Sequence, residues 1–177
     1  MPLNSSRNPG AKTRIYIDTN IYVYAILHHP RYGSLCAEIL RDIDRKVFEA
    51  YGSIFVALEL LGSLSRISPH IARRAVEDYL SIDMILLGMS KEVVRLASII
   101  NEEVNIKYDA VHAALMLLND ISTIITNDVD DWEKIRKEFA KITERIKEEG
   151  YTTSINKIDV VTPDNYKKWK QYRQELS

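Results

Sequence analysis

A short apolar run that ends abruptly in polar residues constrains the fold of this chain more than any other feature. Residues 14–20 read RIYIDTN, and a second apolar stretch follows at residues 21–27. The first run alternates too little for a half-exposed strand and predicts a strand buried on both faces, as in a parallel sheet. The second has the length of a helix, with Thr19 or Asn20 as its N-cap. Asp18 would then lie at the carboxyl edge of the sheet, where open α/β sheets bind ligands, although one acid alone is better explained as a turn or capping residue.

The rest of the chain alternates between short apolar runs and longer amphipathic ones. The short runs predict strands at residues 47–51, 82–87, 121–126 and 158–161. The longer runs predict helices at residues 34–45, 69–80, 91–104 and 108–118, and from residue 163 onward. Two further helices are expected, one after Ser53 that is apolar nearly all round and therefore buried, and one charged helix that ends at about residue 149. Strands separated by helices predict a three-layer α/β/α fold with a central, mostly parallel, twisted sheet of about four to five strands.

The length of 177 residues predicts a single domain with a sizeable core. We assign residues 14–177 to this domain and residues 1–13, which are polar and contain Pro, Gly and Ser, to a flexible N-terminal tail. The charged segment at about residues 133–150 is predicted to be a helical insertion.

Charge and cysteine content narrow the class of protein. The formal net charge is −1, so no overall field attracts nucleic acid or an anionic membrane, and a nucleic-acid substrate would need a local basic patch or bridging metal ions. The single cysteine, Cys36, excludes an internal disulfide framework and a Cys-rich zinc site. No apolar run reaches transmembrane length, and the N-terminus lacks the apolar centre of a signal peptide. These features predict a cytoplasmic protein.

Acidic residues occur at four places where the predicted fold would bring them together. Asp18 follows the first strand, Glu59 lies within the apolar helix, Asp109 opens another apolar helix, and Asp128 follows the strand at residues 121–126 with Asp131 close behind. Each has an ordinary explanation when taken alone. Asp109 could favour a helix N-terminus, Asp128 could be a turn residue, and Asp130 and Asp131 could cap the charged helix. Glu59 could pair with Arg66, which lies seven residues further on the same helix face.

Taken together, these acids predict a metal site. Uncompensated carboxylates at one sheet edge would repel by about 1–4 kcal/mol per close pair, and some of their pKa values would rise. A divalent cation removes this conflict, and all-oxygen ligation suits Mg²⁺ or Mn²⁺. Because such an ion activates water and neutralises a phosphodiester, the acids point to a metal-dependent phosphodiesterase.

Several segments, in this order, resemble the PIN domain family and in particular its small single-domain, VapC-like toxins. They are IDTN at residues 17–20, Glu59 on its helix, YDAVHAAL at 108–115, ITNDVDDW at 125–132 and IDVVTP at 158–163. The resemblance implies a Mg²⁺- or Mn²⁺-dependent ribonuclease. By position, it implies a catalytic set of Asp18, Glu59, Asp109 and Asp128, and metal ligation by Asp18, Asp109, Asp128 and Asp131. It implies that Asn20 and Thr126 orient these carboxylates or water.

The sequence departs from the family in two places. Asp128, Asp130 and Asp131 offer three acids where one or two are usual, so the ligands within this run stay open. The segment at about residues 133–150 is longer than the usual connection.

Basic residues are expected at the rim of an acidic site that binds RNA. The substrate-binding candidates are Arg73, Arg74 and Lys107, with Arg14, Arg31, His28 and His29 as further ones. His112 is interpreted as a packed histidine and not a ligand.

The resemblance further implies a homodimer and a small antitoxin protein that would cover the site. Two alternatives within the family are an RNA-processing nuclease without an antitoxin and an inactive PIN domain that binds RNA or protein. A receiver-type phosphoacceptor domain is excluded, because the third strand is followed by Gly88 and not by an acceptor Asp.

Overall fold

The computed structural model describes residues 12–175, and it contains a five-stranded sheet. The strands are β1 (Arg14–Ile17), β2 (Glu49–Ser53), β3 (Ile85–Leu87), β4 (Thr123–Ile125) and β5 (Asp159–Val161). All neighbouring strands are parallel, in the order β3-β2-β1-β4-β5. The predicted flexible tail at residues 1–13 falls outside the described residues except for its last two.

Helices cover both faces of the sheet, which confirms the predicted three-layer α/β/α fold. Within residues 12–175 they are α1 (Thr19–Ile26), α2 (Gly33–Asp44), α3 (Ile54–Ser65), α4 (Pro69–Leu80), α5 (Lys91–Val104), α6 (Asp109–Leu118), α7 (Val129–Lys137), α8 (Phe139–Glu148) and α9 (Tyr166–Glu175). The last of these begins three residues later than the sequence predicted. No helix in this part of the chain is both long enough and apolar enough to cross a membrane.

Serine side chains start three of the helices as the sequence predicted. Ser53, Ser68 and Ser90 accept hydrogen bonds from backbone N–H groups in the first turns of α3, α4 and α5. The prediction for α1 was wrong, because its N-cap is Asp18 and not Thr19 or Asn20. Asp18 therefore ends β1 and caps α1 at the same time.

The predicted single charged helix is two helices, α7 and α8, with a non-helical Glu138 between them. Trp132, Ile135, Phe139 and Ile142 all face the core. Their three- and four-residue spacing is the same in one long helix as in two short ones, so periodicity could not locate the bend.

The prediction that α3 is buried all round was also wrong. Its Ile54, Leu58 and Leu61 side chains are 40–56% exposed, while Val56 and Leu60 are fully buried. Only one face of α3 packs against the rest of the domain, so composition alone overstated its burial.

The strand order places the ends of β1 and β4 side by side. β1 lies at the centre of the sheet, with β2 on one side and β4 on the other, and Ile17 is in register with Ile125. The connections run outward in opposite directions from this pair, which makes it the topological switch point where α/β sheets open a crevice. The residues that follow Ile17 and Ile125 are Asp18 and Thr126.

Candidate metal centre

A cleft of about 500 Å³ opens at the carboxyl edge of the sheet, beside the ends of β1 and β4. We call it the acidic cleft, because it brings together four predicted acids: Asp18, Glu59, Asp109 and Asp128. Its remaining lining residues are Thr19, Asn20, Val23, Gly62, Ser63, Arg66 and Tyr108. The acids come from the ends of β1 and β4 and from helices α3 and α6, which are far apart in the sequence.

Asp18 is the most enclosed of these acids, with 4% of its surface exposed. Its Oδ1 accepts a hydrogen bond of 2.6 Å from the backbone N–H of Thr19. Its Oδ2 accepts hydrogen bonds from Thr126 Oγ1 at 2.6 Å and from Asn20 Nδ2 at 2.8 Å. Three donors aimed at one carboxylate fix its orientation.

Asn20 and Thr126 also join the two strand ends to each other. Asn20 Oδ1 accepts a hydrogen bond of 3.0 Å from the backbone N–H of Asn127, and Thr126 Oγ1 accepts one of 3.0 Å from that of Asp128. The two side chains thus set the position of Asp128 relative to Asp18. They lie where the resemblance placed residues that orient the carboxylates.

Glu59 reaches the cleft from α3, and one of its two carboxylate oxygens is already held by neighbouring side chains. Oε2 accepts a hydrogen bond from Thr19 Oγ1 and lies 2.9 Å from His112 Nε2. Burial by itself raises the pKa of Glu59, but the hydrogen bonds and the charge of His112 outweigh it and lower the pKa below its usual value. Within the described residues Glu59 forms no ion pair with Arg66, the partner considered from the sequence, although Arg66 lines the same cleft.

His112 was interpreted from the sequence as a packed side chain and not a ligand, and the structure shows a packed ring that also contacts two carboxylates. The ring is 1% exposed and packs against Phe55 and Tyr16, as a core histidine would. It also lies 3.7 Å from Asp18 Oδ1 in addition to its contact with Glu59. Burial alone lowers the pKa of His112, whereas the nearby carboxylates raise it, and the net direction is upward. Its spacing of three residues from Asp109, which puts both on one helix face, is the signal that could have identified it.

Two groups of possible metal-binding side chains lie near each other. Asp18, Glu59 and His112 form the first, and the second contains only carboxylates. Oxygen atoms of Asp109, Asp128 and Asp131 all lie within 4.8 Å of one another. Burial and then the charge of Asp18 raise the pKa of Asp109 to about 7, with further contributions from Asp128 and Asp131. Burial and the neighbouring acids also raise the pKa of Asp128. Asp130 is exposed and is not a member of this cluster.

The donor set of this second cluster fits a hard divalent cation. Its ligands are all carboxylate oxygens, which Mg²⁺ and Mn²⁺ prefer. Burial is the main cause of the raised pKa values of Asp109 and Asp128, and the charges of the neighbouring carboxylates add to it. A bound cation would offset this repulsion between the carboxylates. Asp109, Asp128 and Asp131 could hold such an ion, with Asp18 at its border.

The basic residues predicted at the rim do not line the cleft. Arg73 and Arg74 are exposed on α4, and Lys107 is exposed just before α6. Arg66 is the arginine that lines it. The reason is helical phase: α4 packs beside α3 and turns its arginines to solvent, whereas the last turn of α3 borders the cleft.

Two other candidate basic residues lie elsewhere. Arg14 is the first residue of β1, at the amino-terminal ends of the strands and therefore away from the cleft. Its side chain hydrogen-bonds to Glu49 and Tyr51. Arg31 forms an ion pair of 3.0 Å with Asp164.

Comparison with known proteins agrees with this architecture. A family profile described as the PIN domain matches residues 15–138. Two similar solved structures are VapBC2 from Rickettsia felis bound to a DNA fragment from their promoter and DNA-bound VapBC from Salmonella typhimurium. The first has a TM-score of 0.56 at 16% identity and the second 0.55 at 15%, and each comparison covers 85% of this chain and 98% of the other. No curated protein matches the sequence. At these identities the two structures establish the fold alone.

Proposed function

Because this chain belongs to the PIN domain family, we propose that it is a metal-dependent endoribonuclease that hydrolyses RNA phosphodiester bonds at the acidic cleft. The observation that carries the proposal is the convergence of Asp18, Glu59, Asp109 and Asp128 on one sheet edge. Burying several carboxylates together costs free energy, which a catalytic metal site explains and a purely structural role does not.

Each acid has a distinct part in this proposal. Asp18, Asp109, Asp128 and Asp131 would hold Mg²⁺ or Mn²⁺, an ion that lowers the pKa of water and neutralises charge on a phosphodiester. Asn20 and Thr126 orient Asp18 through the hydrogen bonds described above. Glu59, kept ionised by its neighbours, is placed to accept a proton from an attacking water. Arg66 at the cleft wall is placed to contact a phosphate of the substrate.

The proposed biological setting is a toxin–antitoxin pair in the cytoplasm. It is supported by the similarity in fold to two VapBC structures. A small antitoxin would then cover the acidic cleft, and the nuclease would act as a homodimer. An RNA-processing nuclease with no antitoxin uses the same chemistry and is the alternative within this class.

An inactive PIN domain that only binds RNA or protein is the alternative from another class. It would need no cluster of coupled carboxylates, and the raised pKa of Asp109 marks a cost that such a module has no reason to keep. This observation favours the nuclease.

The test is RNA cleavage by metal-depleted protein to which Mg²⁺ or Mn²⁺ is returned. Wild type should cleave only with metal, and Asp18→Asn should lose at least about 100-fold in rate. Asp44→Asn is the matched control, because Asp44 is an exposed acid at the end of α2, away from the cleft. Equal cleavage by wild type and Asp18→Asn would contradict the proposal. Co-purification with the product of an adjacent short reading frame would separate the toxin from the RNA-processing nuclease.

A further inference from the structure

We propose that His112 is a positioning residue, which holds one oxygen of Glu59 so that the other is presented to the acidic cleft. The inference rests on the proposed function, since it assumes that the cleft binds a metal ion. It adds a residue that the family resemblance did not assign.

The contact between His112 and Glu59 is the first link of a buried hydrogen-bond chain. His112 Nδ1 lies 2.8 Å from Tyr16 Oη, and Tyr16 Oη lies 2.8 Å from Ser53 Oγ. Ser53 Oγ in turn accepts a hydrogen bond of 3.2 Å from the backbone N–H of Val56 and so caps α3. Because α3 also carries Glu59, this series of hydrogen bonds begins and ends on the same helix.

The donor in the contact with Glu59 is the same in both forms of the ring. Glu59 Oε2 is a carboxylate oxygen and only accepts, so His112 Nε2 carries a proton and donates to it. His112 Nδ1 accepts from the Tyr16 hydroxyl when the ring is neutral and donates to it when the ring is charged.

Tyr79 fixes the far end of the chain. Its hydroxyl accepts a hydrogen bond of 2.8 Å from the Ser53 N–H and donates one of 2.9 Å to the Ser53 carbonyl. These bonds hold the Ser53 backbone, so its side chain stays free for Tyr16 and Val56. The chain is therefore anchored to β1, to the junction of β2 with α3, and to α4.

This chain of hydrogen bonds holds only one of the two carboxylate oxygens of Glu59. Thr19 and His112 both bind Oε2, and no hydrogen bond within the described residues involves Oε1. A free glutamate has three rotatable bonds, and ordering it costs conformational entropy. Here the Glu59 side chain is already ordered in the folded protein, because the imidazole that binds it is itself fixed. That ring is 1% exposed and packed between the rings of Phe55 and Tyr16. Oε1 is left as a fixed acceptor at the cleft.

Two amide substitutions separate this role from simple packing. His112→Gln retains a donor near the position of Nε2, within reach of Glu59, whereas His112→Asn retains a polar group only near the position of Nδ1, beside Tyr16. Both lose the imidazole ring, so both lose packing. The rate of RNA cleavage at saturating Mn²⁺ should fall at least about 10-fold in His112→Asn and stay within about threefold of wild type in His112→Gln, whereas Mn²⁺ affinity should be the same in both variants. Equal cleavage rates in the two variants would overturn the proposal.

A measurement on the wild-type side chain keeps the test valid if a variant does not fold. The ¹⁵N spectrum of the imidazoles should show a proton on Nε2 of His112 at neutral pH, and Glu59→Gln should shift that signal. An unprotonated Nε2 would overturn the positioning role. The proposed function fails in a different way, since wild type would then neither bind Mn²⁺ nor cleave RNA.

Discussion

The hydroxyl of Thr126 donates a hydrogen bond of 2.6 Å to Asp18 Oδ2, although the two residues lie 108 positions apart in the chain. The contact follows from the register of two central strands, which pairs Ile17 with Ile125 and places the next residues side by side. The same hydroxyl accepts the backbone N–H of Asp128. Thr126 thus couples two acids of the acidic cleft.

Replacing Thr126 with valine should therefore damage the site more than its size suggests. Valine keeps the shape but leaves the Asp128 N–H without its acceptor and Asp18 with one donor fewer. We expect a loss of about 1–3 kcal/mol in the free energy of unfolding and about 10-fold weaker Mn²⁺ binding. Thr126→Ser, which keeps the hydroxyl, should stay close to wild type in thermal melts and Mn²⁺ titrations. The coupling would be refuted by a valine variant that binds Mn²⁺ as wild type does.

The raised pKa of Asp109 predicts how the stability of the metal-free protein depends on pH. The folded protein holds this proton up to a pKa of about 7, whereas the unfolded chain releases it near 3.8. The folded state thus binds more protons in this window, so its stability falls as the pH rises from about 4 to about 7. Asp109→Asn should remove this dependence and stabilise the protein by about 2–4 kcal/mol at about pH 8. Urea unfolding in EDTA at several pH values measures the free energy of unfolding of both proteins. A difference between wild type and Asp109→Asn that does not change with pH would contradict the prediction.

Adding Mn²⁺ should reverse the difference in stability between wild type and Asp109→Asn. Mn²⁺ would replace the proton on Asp109 as the compensating charge, so it should stabilise wild type at about pH 8 but not Asp109→Asn. The midpoint of thermal unfolding with and without Mn²⁺ reports this directly. Equal shifts in both proteins would place the metal elsewhere.

The two neighbouring acids Asp130 and Asp131 should differ sharply when changed to asparagine. Asp131 belongs to the carboxylate cluster, where its oxygen lies within 4.8 Å of those of Asp109 and Asp128, whereas Asp130 is exposed and is not part of the cluster. Asp131→Asn should weaken Mn²⁺ binding about 10-fold, and Asp130→Asn should leave it within about twofold. Calorimetric titration of both variants decides the matter, and the reverse order of effects would show that the cluster is wrongly assigned.

Gly52 should resist substitution because of what packs against it. A Cβ added there would clash with the Tyr79 hydroxyl and lie 2.8 Å from Met84 Cε. The hydroxyl cannot move freely, since it is bonded to both backbone groups of Ser53. Gly52→Ala should cost about 1–3 kcal/mol, or several degrees in the melting temperature. Gly88→Ala is the control and should be nearly neutral, because an added Cβ there meets nothing within 4 Å. Similar melts for the two variants would contradict the packing argument.

Local signals in the sequence were enough for the order of elements and for the acids. The apolar run at residues 15–17 predicted a strand buried on both faces, and Ile15, Tyr16 and Ile17 are fully buried. Serine caps marked the starts of α3, α4 and α5, since capping is a contact with the next turn of the same chain. The burial of α3 could not be predicted in this way, because it depends on neighbours distant in sequence. The break between α7 and α8 could not be predicted either, because it leaves the spacing of the apolar residues unchanged.

The sequence by itself determined that carboxylates would meet at the carboxyl edge of a parallel sheet, because strand direction fixes which end of each strand carries its last residue. Only the tertiary structure decided which further side chains lie there. Asp131 and not Asp130 joins the carboxylate cluster, Arg66 and not Arg73 lines the acidic cleft, and His112 contacts Glu59. These choices depend on helix rotation and packing, where one residue of phase turns a side chain by about 100° from the cleft toward solvent or the core.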